Sequence, residues 1–196
     1  MVVKKVYSKT KRGYLHISDL FKSTVTNTYQ FILQQVMLSK IRKARKEDLD
    51  AVFKIYFDEE NNQYLKYNPM PKENFSRIWR MKVARKHTYV CEMLGDVIGL
   101  ISASCSEGQE EHVAHIAPIV VRKELKGFGV AKKLMRHILR KLREDGFKRI
   151  DLTVNADNKR GIKFFRKFGF EKEAVIRKQT KRGGRYYDDY LMVKFF

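Results

Sequence analysis

A loop between a predicted strand and a predicted helix carries the residues best placed to do chemistry. From Ile119 to Lys132, an apolar strand leads through two glycines directly into a helix. Small residues in this loop and in the first helical turn leave backbone N–H groups uncovered. Together with the positive end of the helix dipole, these donors form a site for a pyrophosphate. The predicted anion-binding residues are Lys126, Gly127, Phe128, Gly129, Val130, Ala131 and Lys132.

The spacing in this loop does not identify a nucleotide class. It is not GxGxxG, because Lys132 stands at the third glycine position, and no Gly-Lys-Ser/Thr follows as in a Walker loop. Two glycines at a helix start also occur as ordinary turn chemistry. Both interpretations stay open from the loop alone.

The elements around the loop must position it, and they alternate between strand and helix. The longest amphipathic pattern predicts a helix from Val130 to Glu144, ended by Gly146. A fold that alternates in this way and finishes in a hairpin is α/β or α+β, with a mixed sheet in one domain. Further helices are predicted after Asp48, around Phe75–Arg85 and up to Lys167, the last of them capped by Asp157 or Asn158. Strands are predicted at Ile41–Arg45, Thr88–Met93, Val97–Ser104, His112–Val121, Ile150–Val154, Phe170–Arg177 and Tyr186–Phe196.

Two sequence blocks resemble the signatures of the GNAT superfamily of acyl-CoA-dependent N-acyltransferases. The run from Lys126 to Ala131 matches the Gln/Arg-x-x-Gly-x-Gly/Ala loop of that family, with Lys in the first position. Asn158, followed by a helix that ends in Phe165-Arg-Lys-Phe-Gly-Phe170, matches the second signature. The resemblance covers residues 40–196 and leaves 1–39 as a basic N-terminal extension. It implies a mostly antiparallel central sheet flanked by helices.

The resemblance also implies a donor and a reaction. The strand at Ile119, Val120 and Val121 would splay from its neighbour and hold the pantetheine and thioester, and the glycine loop would hold the pyrophosphate of acetyl-CoA. Asn158 and Phe165 would complete the cofactor-binding residues. The implied activity is transfer of an acetyl group to a primary amine by direct attack in a ternary complex, with no metal.

The acid and base of that reaction are not given by the family pattern. Phe165 stands where such enzymes often keep a tyrosine acid, and a phenyl ring cannot donate a proton. His115 stands at an even spacing from Ala117, Ile119 and Val121 on the same strand face and is the predicted base, since imidazole changes charge near neutral pH. It could equally bind a backbone carbonyl. Tyr187 is the predicted acid, with ordinary packing as the alternative.

The net charge of +20 attracts polyanions but does not select one. Lys and Arg greatly outnumber acids between Arg122 and Arg185, more than the phosphates of CoA require. Two further interpretations are therefore kept: a tRNA- or ribosome-directed acyltransferase, and a catalytically weak GNAT scaffold that binds nucleic acid. The acceptor itself is a small molecule or a protein, and the chain a monomer or a homodimer.

The remaining features bear on the compartment. No run approaches the ~20 apolar residues of a membrane helix, and the N-terminus lacks the plan of a signal peptide. Cys91 and Cys105 have no metal or CxxC spacing and are expected in the strand core. We expect a cytoplasmic protein that does not bind a membrane. Residues 1–39 show no clean periodicity and are expected to order on the main domain or on a partner.

Overall fold

The computed structural model describes the backbone of residues 7–10 and 13–196, and the side chains from residue 26 onward. Its contacts divide the chain into two compact units, residues 1–39 and 40–196. The first unit contains a two-stranded antiparallel sheet, β1 (Tyr7–Thr10) and β2 (Gly13–His16), followed by helix α1 (Ile17–Leu38). Sequence periodicity did not predict this helix of 22 residues.

The second unit is built on a sheet of seven strands in the order β3-β4-β5-β6-β7-β9-β8. All neighbouring strands are antiparallel except β6 and β7, which are parallel. The predicted mixed, mostly antiparallel sheet is confirmed. The strands are β3 (Lys40–Lys43), β4 (His87–Met93), β5 (Asp96–Cys105), β6 (Val113–Val121), β7 (Arg149–Asn155), β8 (Glu171–Arg182) and β9 (Arg185–Phe195). The helices are α2 (Leu49–Tyr56), α3 (Glu59–Asn62), α4 (Lys72–Val83), α5 (Val130–Glu144) and α6 (Lys159–Arg166).

Helix α5 has the bounds that the sequence predicts, because its start and its end carry local signals. Gly129 adopts a φ of +96° immediately before the first turn, and Gly146 adopts +87° after the last. Between them, an apolar face of Leu134, Ile138 and Leu142 is fully buried. The helix packs closely on β5, where a Cβ at Gly99 would stand 3.1 Å from the Leu134 side chain. This contact fixes the start of α5 against the sheet.

Three sequence predictions need correction. Strand β8 continues past the predicted end at Arg177 to Arg182. Its register with β9 shifts between Ile176 and Thr180. A bulge of this kind interrupts the alternation on which the prediction relied. Helix α4 begins one turn earlier than predicted, with Pro71 as its N-cap. Cys105 is exposed, whereas Cys91 is buried as expected.

No helix in the described part of the chain is both long enough and apolar enough to cross a bilayer.

Candidate active site

Strands β6 and β7 run side by side for only three residues and then separate. Val113–His115 pairs with Arg149–Asp151, after which β6 continues along β5 and β7 continues along β9. The two strands, where they have separated, form part of the wall of a cavity of about 850 Å³. Clefts of this size bind small molecules and cofactors in proteins. The end of the parallel pairing therefore creates the candidate site.

The loop after β6 presents backbone donors to one end of this cavity. Gly127 and Gly129 both have a φ of +96°, and an added Cβ at either would meet nothing within 4 Å. The first helical hydrogen bond of α5 runs from the Lys133 N–H to the Gly129 carbonyl, at 3.0 Å. The N–H groups of Ala131 and Lys132, two residues that line the cavity, precede that bond at the positive end of the helix dipole. An open cradle with these donors fits a pyrophosphate.

Contacts between α3 and the segment around the end of β6 hold the cradle in place. Asn61, which is buried, donates hydrogen bonds from Nδ2 to the carbonyls of Ile55 (2.8 Å) and Val121 (3.1 Å). These bonds attach the end of α2 to the end of β6. Lys126 Nζ lies 2.9 Å from Glu60 Oε1, so part of the positive charge of the loop already has a carboxylate partner.

A histidine–aspartate pair occupies the other end of the strand. Parallel pairing places His115 opposite Asp151, and His115 Nδ1 lies 2.6 Å from Asp151 Oδ1. A carboxylate at Nδ1 fixes the imidazole orientation and favours the tautomer that carries the Nδ1 proton. Nε2 then bears the lone pair, and it has no hydrogen-bond partner among the described residues. His115 lines the cavity, and a histidine held by a carboxylate in this way can act as a general base.

The third part of the wall comes from α6 and the residue that caps it. Asn158 caps this helix: its Oδ1 accepts a hydrogen bond from the Gly161 N–H at 2.8 Å. Asn158 and Phe165 both line the cavity. The Phe165 ring packs at 5.5 Å from Phe164 and 6.1 Å from Phe170, measured between centroids. Phe165 therefore contributes an apolar surface to the site.

Comparison with known proteins identifies the family. Residues 49–170 match the model of the Acetyltransferase (GNAT) family. The L-amino acid N-acetyltransferase AaaT of Escherichia coli is 32% identical over 163 residues, which cover 79% of this chain and 96% of that protein. The chain belongs to the GNAT family. The Uncharacterized N-acetyltransferase MJ1207 of Methanocaldococcus jannaschii is 28% identical over 167 residues, covering 82% of this chain and 72% of that protein.

Solved GNAT structures have the same fold. A phosphinothricin acetyltransferase from Sinorhizobium meliloti, solved in complex with AcCoA, superposes with a TM-score of 0.70 at 20% identity. The match covers 81% of this chain and 88% of that one. The protein is thus an acyltransferase of the GNAT family, and its relatives are N-acetyltransferases.

In this GNAT protein, most of the residues predicted from sequence come together at the one cavity. Phe128 and Val130 do not line it, and the Val130 side chain is buried in the core. Tyr187 does not line it either. Its ring packs instead against the guanidinium of Arg182, with 4.2 Å between the ring centroid and Cζ. Its role as acid stays a prediction. The predicted residues that do line the cavity are His115, Ile119, Val120, Val121, Lys126, Gly127, Gly129, Ala131, Lys132, Asn158 and Phe165.

Lys82, which was not among the residues predicted from sequence, also lines the cavity. Its side chain is only 6% exposed, and burial, followed by the nearby charges of Arg85 and Lys66, lowers its pKa to about 8. Lys82 lies three and seven residues after two core residues of α4, Trp79 and Phe75. That helical spacing is the signal that could have found it, because it places a lysine on the buried face.

Proposed function

We propose that residues 40–196 form the catalytic domain and transfer the acetyl group of acetyl-CoA to a primary amine by direct attack in a ternary complex. The observation that carries the proposal is that His115, which is paired with Asp151, lines the same cavity as the phosphate cradle. The E. coli relative supports the acceptor class, because its name gives an L-amino acid as its acceptor. The cytoplasm stays the compartment predicted from sequence.

The cradle would bind the donor at its diphosphate. The N–H groups at the start of α5 and the ammonium of Lys132 would contact the phosphate oxygens. The edge of β6 at Ile119 and Val120, which no longer pairs with β7, would bind the pantetheine through its backbone, and Nδ2 of Asn158 would donate to a pantetheine carbonyl. Acetyl-CoA supplies an activated acyl group, because a thiolate is an acceptable leaving group.

His115 would then act on the acceptor. The nitrogen of the neutral amine forms a bond to the acyl carbon while the carbon–sulfur bond breaks, and the sulfur leaves with the electron pair. The new amide nitrogen must lose a proton, which passes to His115 Nε2. Asp151 keeps the imidazole in position and stabilises its positive charge. The proton finally reaches the thiolate through His115 or solvent, so that free CoA and the N-acetyl product leave.

The test is His115→Gln, assayed by release of the free thiol with an acceptor found in an amine screen. General-base catalysis contributes roughly 10²–10⁴-fold, so kcat should fall by that factor at neutral pH, while the KM for acetyl-CoA stays the same. The loss should shrink at high pH, where solvent deprotonates the amine. His112→Gln is the matched control, because His112 is exposed and does not line the cavity. Equal kcat for His115→Gln and the wild type would refute the role of the histidine.

A further inference from the structure

Lys82 occupies a position that a charged side chain rarely takes. It lies on the buried face of α4 with Phe75 and Trp79, which are 0% and 1% exposed. Lysine is almost never buried to this extent unless it is paired with an acid. Here no carboxylate of the described residues lies within ion-pair distance of its Nζ. The side chain therefore needs an explanation other than packing.

The charges closest to Lys82 have the same sign. Arg85 and Lys66 both lower the pKa of the Lys82 ammonium, as burial does, and no acid offsets them. All three side chains line the candidate cavity. We call Lys66, Lys82 and Arg85 the cation cluster. Like charges that converge in a cavity without a counter-ion repel each other, and a bound anion would relieve that repulsion.

The backbone of Lys82 lies near the end of β5 that pairs with His115. The hydroxyl of Thr88 donates to the Lys82 carbonyl at 2.6 Å and lies 2.9 Å from the hydroxyl of Ser102. Ser104, two residues further along β5, pairs with His115 on β6. The phosphate cradle follows the opposite end of β6, after Val121. The donor phosphates therefore have their own site, and the cation cluster lies on the side of the acceptor.

We infer that the cation cluster binds a carboxylate carried by the acceptor, so that the substrate is a small amine that bears a carboxylate near the reacting nitrogen. In this arrangement Lys82 binds the carboxylate at one side of the acceptor while His115 takes the proton from the amine at the other. The inference rests on the proposed acetyl transfer and assigns the acceptor class to the same site.

The experiment compares free L-amino acids with their carboxamides, which keep the amine and the side chain and lose the negative charge. The wild type should show at least about a 10-fold higher kcat/KM for the acids, because a hydrogen bond to a charged group contributes ~1.5–3 kcal/mol. Lys82→Met should lower kcat/KM for the acids by about 10–100-fold, leave the amides nearly unchanged, and leave the KM for acetyl-CoA unaltered. Lys86→Met is the matched control, since Lys86 is exposed, pairs with Asp145 at 2.9 Å and does not line the cavity.

The outcomes separate the two proposals. If the wild type acetylates acids and amides equally well, or if Lys82→Met affects both equally, the carboxylate site is refuted while acetyl transfer stands. If acetyl-CoA does not bind and no amine is acetylated, the proposed function itself fails. Mass spectrometry after incubation with acetyl-CoA alone provides a further check. Acetylation of Lys82 in that sample would show that Lys82 is itself an acceptor, and it would overturn the carboxylate assignment.

Discussion

Replacement of Lys82 by methionine should stabilise the fold. Burial and two neighbouring cations lower the pKa of Lys82 from 10.5 to about 8. One pKa unit corresponds to ~1.4 kcal/mol, so the folded state loses roughly 3 kcal/mol at neutral pH by holding this ammonium. Methionine has a similar length and no charge. We therefore expect Lys82→Met to raise the free energy of unfolding at pH 7 by roughly 2–3 kcal/mol.

The sign of the pH dependence provides a second, independent readout. Between pH 8 and 10.5 the unfolded chain holds a proton on Lys82 that the folded chain has released, so the wild type gains stability as the pH rises through this range. Below pH 8 both states hold the proton and the penalty is constant. The difference between Lys82→Met and the wild type should therefore be largest at neutral pH and disappear near pH 10.5.

Urea unfolding, followed by tryptophan fluorescence, measures both the free energy of unfolding and its dependence on pH. The single tryptophan, Trp79, lies on the same helix, is 1% exposed, and donates from its ring nitrogen to the Arg45 carbonyl at 3.1 Å. Its fluorescence should report the unfolding of this region. Lys72→Met is the control, because Lys72 is 48% exposed and forms a surface ion pair with Asp50. The reasoning is refuted if Lys82→Met and Lys72→Met have the same effect at pH 7.

Two further predictions address the cradle and the acid side of the stability curve. Ala131→Glu should weaken acetyl-CoA binding in calorimetry by about 10-fold or more relative to Ala131→Gln, because a carboxylate would face the phosphates while the added bulk is equal; equal affinities would contradict the cradle. Burial lowers the pKa of His87, which is 1% exposed, in spite of Asp145 Oδ2 at 3.1 Å from its Nε2. The wild type should therefore lose stability as the pH falls below about 6.5, and His87→Leu should lose less. An equal decrease in melting temperature from pH 7.5 to 5.5 in the two proteins would show that His87 is not responsible.

The local features of this protein could be predicted from its sequence because their signals are local. The bounds of α5 follow from an apolar repeat with glycines at both ends, and the sequence narrows the cap of α6 to Asp157 or Asn158, of which the structure has Asn158. The contact between His115 and Asp151 could not be predicted in this way. It depends on the register of two parallel strands separated by all of α5, and a shift of one residue would place the two side chains on opposite faces.

The position of a cation relative to its counter-ions identifies its role better than the total charge does. The net charge of +20 attracts any polyanion and left three functions open. Within the cavity the lysines differ: Lys126 is paired with Glu60, whereas no carboxylate of the described residues pairs with Lys82, and the nearby charges of Arg85 and Lys66 are also positive. A paired lysine satisfies its own charge, and an unpaired buried one lowers stability until an anion binds. A lysine kept at such a cost in the same cavity as His115 is consistent with the proposed substrate, which carries the missing negative charge.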